Sequence, residues 1–202
     1  MEEEKLETAT KDKLKALKLQ KNKPLEETKK GDWKKNLLSW VIIILVAFFL
    51  AKIVNEFVIE KVKTPTGSME PTVKTTDRLL MFKLAYLFSK PDRGDIVVFE
   101  DPANPEKDLL KRIIGLPGET ISFYNGAVYI NGKRLEESYL HGVQTQDKGT
   151  TEFVIPKDCY FMMGDNRSNS MDSRGWAQPF VHEKYIKGRV FFRYSPTIGF
   201  LE

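Results

Sequence analysis

Cysteine is almost absent from this sequence: Cys159 is the only one among 202 residues. A single thiol excludes an intramolecular disulfide and a multi-cysteine metal site, and Cys159 reads as a buried apolar side chain. Histidine is nearly as scarce. Only His141 and His182 are available to a histidine-based site; neither lies in a motif, and both read as surface residues. No sign of charge dominates either. The net charge of +4 is spread along the chain, so no concentrated basic patch points to nucleic acid. No internal repeat is present. With 41% hydrophobic and 30% charged residues, the composition is that of a folded chain and excludes disorder throughout.

What the sequence does contain is one long apolar run. Leu37 to Val54 is interrupted only by Ser39 and by Lys52 near its far end. That length spans a bilayer, with Lys52 snorkelling to the interface. A buried core helix is the competing reading, but the run is apolar all round. A cleaved signal peptide would need a short charged leader and a small-x-small site, and neither is there. Lys29, Lys30, Lys34 and Lys35 crowd the near side, whereas Lys52, Lys61 and Lys63 mix with Glu56 and Glu60 on the far side. The positive-inside rule then predicts residues 1–35 as a cytoplasmic charged tail, 36–55 as an uncleaved transmembrane anchor and 56–202 as an extracytoplasmic domain. The tail, with its weak Leu14 and Leu17 spacing broken by Pro24, reads as solvated or marginally helical.

Beyond residue 78 the hydrophobic period shifts toward two. Runs such as "RLLMFK", "DIVVFE", "LLKRIIG", "TISFY", "AVYI", "EFVI", "CYFMMG" and "RVFFRY" are short and bounded by Gly, Pro, Asn or Asp. Asn125-Gly126 and Asn131-Gly132 fall between such runs and predict hairpins. The expected fold is mainly β: an antiparallel, barrel-like sheet domain preceded by one N-terminal helix. Glu136 to Thr151 reads as a long polar excursion over the surface.

Ser68, in "PTGSMEPT", belongs to no familiar serine motif. A capping box would need Glu or Gln where Pro71 stands, and Glu70, preceding that proline, avoids the α region. A nucleophile elbow would need glycines where Thr66 and Glu70 stand. Ser68 is therefore expected in a bent loop. A serine hydroxyl becomes a nucleophile only when a base takes its proton, and "KDLLKRIIGLPGE" offers one. On a strand Lys111 shares a face with Leu109 and Ile113, and Arg112 shares the other with Leu110 and Ile114. Burial among apolar neighbours disfavours the ammonium, so the Lys111 pKa should fall toward the working pH, as a general base requires.

"GDNRSNSMDSRGW", residues 164–176, concentrates Asp, Arg, Asn and Ser behind an apolar strand. Counted from Asp165 as a calcium loop it fails, because the sixth position is Ser170 instead of Gly and the twelfth is Trp176 instead of Glu. It reads either as a self-bonded polar loop or as a scaffold that holds a neighbouring group, with an Asp172–Arg174 contact.

Taken in order, "TPTGSMEPT", "RGDIVVF", "KRIIGLPGE" and "GDNRSNSMDSR" behind one anchor closely resemble the bacterial type I signal peptidases, Ser/Lys proteases that remove signal peptides from exported precursors. The resemblance covers residues from about 37 to 195. It implies Ser68 as nucleophile and Lys111 as general base, with no histidine, metal or other cofactor. It implies Thr66 and the Ser68 N–H as the oxyanion hole, Ser170 as the residue orienting the lysine amine, and Asp172 with Arg174 as the brace of that loop. Met69, Val73 and Leu110 fall where the family lines shallow pockets for an Ala-x-Ala cleavage site. The implied partners are exported precursor proteins and the lipid bilayer, with no nucleic acid. The region from Gly118 to Gly164 is short, which implies that the extra subdomain of larger members is missing, and "GWAQPFVHE" departs from the family's usual continuation.

Two other readings compete. A sortase-like transpeptidase would use Cys159, His141 and Arg167, but "KDCYFMM" sets the cysteine at the head of an apolar strand. A non-enzymatic, membrane-anchored β binding module would leave Lys111 among leucines and isoleucines unexplained.

Overall fold

The computed structural model of the protein describes residues 32–146, 148–149 and 151–201, with Lys13 and Lys15 as isolated helical positions. The expected tail, with Leu14, Leu17 and Pro24, otherwise lies outside the described residues up to Gly31. The chain divides into two units, residues 1–49 and 50–202.

Helix α1, Asp32–Ile53, runs through the apolar stretch and ends in a π-helical turn, Val54–Val58. It starts before the expected boundary because Trp33 to Asn36 hold no helix breaker. Among the described residues, every α1 side chain from Trp33 onward is exposed. That excludes the buried-core-helix reading. The 26-residue helical run Trp33–Val58 is long and apolar enough to cross a membrane.

The second unit is built from antiparallel strands: β1 (Ile59–Lys63), β2 (Arg78–Phe82), β3 (Ile96–Asp101), β4 (Asn104–Gly115), β5 (Thr120–Tyr124), β6 (Ala127–Ile130), β7 (Lys133–Arg134), β8 (Glu152–Val154), β9 (Cys159–Met163), β10 (Val181–His182), β11 (Ile186–Ser195) and β12 (Gly199–Phe200). The larger sheet runs β1-β2-β11-β3-β4-β9-β10, with β12 on β11; the smaller runs β7-β6-β5-β8. The barrel-like expectation is corrected here. Neither sheet closes, since β1 and β10 stand at opposite ends of the larger one. β10 is only two residues long, and β1 carries Glu60, Lys61 and Lys63, the kind of charged edge that resists further pairing.

Each of the eight apolar runs forms a strand. The Asn-Gly pairs make the β5–β6 and β6–β7 turns, with positive φ at Asn125, Gly126, Asn131 and Gly132 as a type I′ turn demands. The two-residue strands were invisible to periodicity. The excursion after Glu136 is not simply superficial: Leu140 and Thr145 are buried, and the Thr145 N–H donates to the Gly126 carbonyl. Gly118 to Gly164 forms the four-stranded sheet and β9.

Strand β4 organises the interior. It lies between β3 and β9, and its last six residues are all buried. Leu110 joins one core cluster with Met69, Val73, Leu79 and Met81. Ile114 joins a second with Ile121 and Phe161, and Ile113 a third with Val97 and Phe99. A strand buried on both faces leaves no solvent side for its polar residues, which decides the chemistry of Lys111 and Arg112.

Candidate active site

Ser68 lies in a turn after β1, where the Glu70 N–H donates to the Gly67 carbonyl and the Val73 N–H to the Met69 carbonyl. This is the bent loop that Pro71 and the absent capping residue predicted. Met69 and Val73 are fully buried and hold the loop to the core like two pegs. Arg193 fixes its far end, donating to the Thr72 carbonyl at 3.2 Å and pairing with Asp77 at 2.9 Å.

Lys111 reaches this turn from β4. Its Nζ donates to Ser68 Oγ at 2.6 Å, and the two residues are 3% and 7% exposed. No carboxylate forms an ion pair with the amine among the described residues. Burial therefore prevails over the more distant attraction of Asp172, Asp165 and Asp101, and the Lys111 pKa falls from 10.5 to about 8. Thr66 Oγ1 stands 3.3 Å from Ser68 Oγ on the exposed side of the turn.

The 164–176 loop closes over the same spot from β9. The Asn166 N–H donates to the Ser68 carbonyl and its Nδ2 to the Gly67 carbonyl, both at 3.0 Å. Gly164 is obligatory in this packing. A Cβ there would collide with the Ser68 carbonyl oxygen and the Ser170 hydroxyl. Arg174 grips Asp172 with Nε and Nη2, both at 2.8 Å, and the Gly164 N–H adds a third bond at 3.1 Å. Burial alone would raise the Asp172 carboxyl; these partners outweigh it and hold the pKa below the ordinary carboxylate value. The scaffold reading of the loop is the one the structure favours. Ser170 Oγ is buried and, among the described residues, has no partner at hydrogen-bond geometry, although it lies near enough to Asp172 to help lower that pKa.

Several partners were not anticipated. Arg112, one residue along from Lys111, pairs with Asp165 through Nε at 2.9 Å and Nη2 at 2.7 Å, with both side chains at or below 1% exposure. The signal was available, because an arginine between buried apolar residues requires a counter-ion, but the sequence does not say which acid supplies it. Met69, Val73 and Leu110, the expected pocket wall, lie together in one core cluster beneath the turn, and only Leu110 keeps a trace of exposed surface, at 6%. Trp176 packs edge-to-face on Phe99 at 6.1 Å, which gives the unusual sequence after the loop a core-packing role.

The remaining candidates stand apart from this chemistry. His141 and His182 are both exposed, and His182 Nδ1 accepts from the Lys184 N–H. Cys159 is a free thiol, half-buried at the head of β9 instead of fully buried, and burial together with Asp158 pushes its pKa up. Arg167 is fully buried and committed to Glu137, Thr145 and the Gly164 carbonyl.

The arrangement is a buried amine held on a serine hydroxyl, in a chain whose antiparallel β unit follows one apolar helix. The profile of one family, described as signal peptidase, peptidase S26, matches residues 37–195. The chain is 39% identical over 158 residues to a probable signal peptidase I-2 of Synechocystis, covering 76% of this chain and 71% of that protein. It is 36% identical over 183 residues to signal peptidase IB of Staphylococcus aureus, covering 83% and 94%. A crystal structure of a signal peptidase I from Enterococcus faecalis matches at 36% identity and a TM-score of 0.42, covering 50% of this chain and 97% of that one. The chain belongs to the signal peptidase family.

Proposed function

We propose that this protein is a membrane-anchored endopeptidase that removes N-terminal signal peptides from exported precursors, with Ser68 as nucleophile and Lys111 as general base. The observation that carries this reading is the 2.6 Å bond between a buried lysine, without an ion pair among the described residues, and the serine hydroxyl. With a pKa near 8, roughly a tenth of Lys111 is a neutral amine at pH 7. That amine takes the Ser68 proton as Oγ attacks the scissile carbonyl. The oxyanion accepts hydrogen bonds from the Thr66 hydroxyl and the Ser68 N–H. The tetrahedral adduct collapses, the C–N bond breaks, and the Lys111 ammonium returns its proton to the departing amine. A water deprotonated by Lys111 then attacks the acyl-enzyme, releases the signal peptide's new carboxylate and restores Ser68.

Asp172, Arg174 and Ser170 belong to the loop that keeps Lys111 and Ser68 in register. Met69, Val73 and Leu110 back the subsites for small side chains at the first and third positions before the cut. Helix α1 anchors the enzyme, with residues 1–35 in the cytoplasm and the β domain from about residue 56 outside, at the surface where a precursor's cleavage site emerges. A sortase-like use of Cys159 is disfavoured by its raised pKa, since the thiolate is the reactive form.

Incubating the full-length, detergent-solubilised protein with a precursor carrying an Ala-x-Ala site tests the reading. Mass measurement should find one cut after the second Ala, lost in Ser68→Ala. A cut elsewhere, or full cleavage by the Ser68→Ala variant, would refute it.

A further inference from the structure

The 164–176 loop is gripped by a second segment, residues 137–146 with Lys148, which no sequence motif marks. Five attachments reach across, one of them from Arg167 Nη2 to the Tyr139 hydroxyl at 3.3 Å. Glu137 takes both Nη1 and Nη2 of Arg167, at 3.0 and 2.5 Å. The Thr145 hydroxyl accepts from Arg167 Nη1. The Gln146 carbonyl accepts from Arg174 Nη1 at 2.9 Å, and Lys148 Nζ donates to the Ser170 carbonyl at 2.5 Å. Tyr139 ties these together: its hydroxyl donates to Glu137 at 2.6 Å, and its ring lies 4.0 Å from the Arg112 guanidinium. The segment is itself fastened to the β5–β6 turn through Thr145 and Gly126.

Arg167 is the pivot of this arrangement. It is 0% exposed, and its Nε donates to the Gly164 carbonyl at 3.1 Å. The next residue back, Asn166, holds the Ser68 and Gly67 carbonyls. Glu137 is the only carboxylate paired with Arg167 among the described residues. Without it a buried guanidinium would stand uncompensated, and the loop could recover solvation only by moving. Movement of that loop is movement of the bonds that fix the Ser68 turn.

We infer that Glu137 is a positioning residue for the reaction, acting through Arg167 and Asn166 to set the Ser68 turn against Lys111. The inference rests on the Ser68/Lys111 reading and goes beyond it, since Glu137 touches neither residue nor substrate. Small misplacements of reacting groups cost as much as about a hundredfold in rate, and the loss should fall chiefly on kcat, where the Ser68–Lys111 geometry is used.

The test uses full-length protein in detergent, with kcat and KM measured well below the unfolding temperature found by circular dichroism. Glu137→Ala should remain folded at that temperature, lose about tenfold or more in kcat and keep KM within about twofold. Glu137→Gln, which still accepts from Arg167, should recover part of the loss. The Glu137→Ala/Arg167→Met double variant should be no worse than the poorer single one, as expected of residues acting as a unit. A folded Glu137→Ala with wild-type kcat, or one altered only in KM, overturns the inference. If Glu137→Ala does not fold, Tyr139→Phe decides. It keeps the ring and removes only the hydroxyl, so a folded Tyr139→Phe should lose a few-fold in kcat, and unchanged kcat refutes the proposal. Ser68→Ala measured alongside separates the two readings: an active Ser68→Ala sinks the dyad, whereas an inactive one beside a fully active Glu137→Ala sinks the role of Glu137 alone.

Discussion

Lys111 and Arg112 are neighbours on β4 and equally shielded from water, at 3% and 1% exposed, yet their charges meet opposite treatment. Arg112 has a bidentate carboxylate in Asp165, the Gly94 carbonyl at 2.7 Å and an aromatic ring over its plane. Lys111 has a serine hydroxyl and, among the described residues, no ion pair. On one face of the strand the buried cation is compensated and serves as architecture. On the other, compensation is withheld, and burial drives the amine toward its neutral form. The alternation of a strand sends consecutive residues to opposite faces, so one dipeptide supplies a fixed brace and a titratable amine without mixing them. Arginine, which stays protonated throughout the working range, suits the first position and could not serve in the second.

The largest expected effect breaks the uncompensated side. Ser68→Ala and Lys111→Ala should each lower kcat/KM by roughly four orders of magnitude, and the double variant should be little worse than either. Additive losses would show that the two residues do not act as one unit.

On the compensated side, Asp165→Asn removes the bidentate carboxylate from the buried Arg112 guanidinium. Chemical denaturation should register a loss of about 1 to 3 kcal/mol, the cost of weakening charged hydrogen bonds to a buried group. A negligible change in Asp165→Asn would mean that water or another group already solvates the guanidinium.

Lys111→Met sharpens the comparison by changing sign. The folded pKa of Lys111 lies below its unfolded value, so the lysine costs stability at every pH below about 8, and that cost fades as pH rises toward the unfolded value near 10.4. The methionine variant should be inactive but more stable than the parent by about 1 to 3 kcal/mol at pH 7. The gain should shrink above pH 8. A destabilised variant would show that the Ser68 contact outweighs the desolvation of the amine. The smallest effect belongs to the histidines: replacing His141 and His182 together should leave cleavage within about threefold, as suits exposed residues outside the site.

The same contrast explains how much of the molecule was legible in the sequence. The strands that pack a core, such as "CYFMMG" and "RVFFRY", announce themselves by composition, and the Asn-Gly turns by their need for positive φ. Lys111 was legible because a charge among Leu109, Leu110, Ile113 and Ile114 is anomalous within a dozen residues of sequence. Partnerships at long range were not. Nothing local links Arg112 to Asp165, or Arg167 to Glu137, and the segment after Glu136 reads as polar surface because its polar side chains are satisfied by residues far along the chain. Strands of two residues, β7, β10 and β12, have no period to detect. The open sheet escaped for a similar reason: closure depends on whether β1 and β10 meet, which no local pattern encodes.

The central claim is that Lys111 acts as a neutral amine, and the most direct measurement is the pH dependence of kcat/KM for the wild type beside Lys111→Arg, on one Ala-x-Ala precursor. Wild-type kcat/KM should climb about tenfold per pH unit on the acid side and level off near the Lys111 pKa of about 8. Lys111→Arg preserves the positive charge but offers no neutral amine in this range, so it should be as inactive as Ser68→Ala at every pH. An arginine variant that cleaves at a substantial fraction of the wild-type rate, or a wild-type profile flat through pH 8, would show that Lys111 contributes charge alone and that the base lies elsewhere.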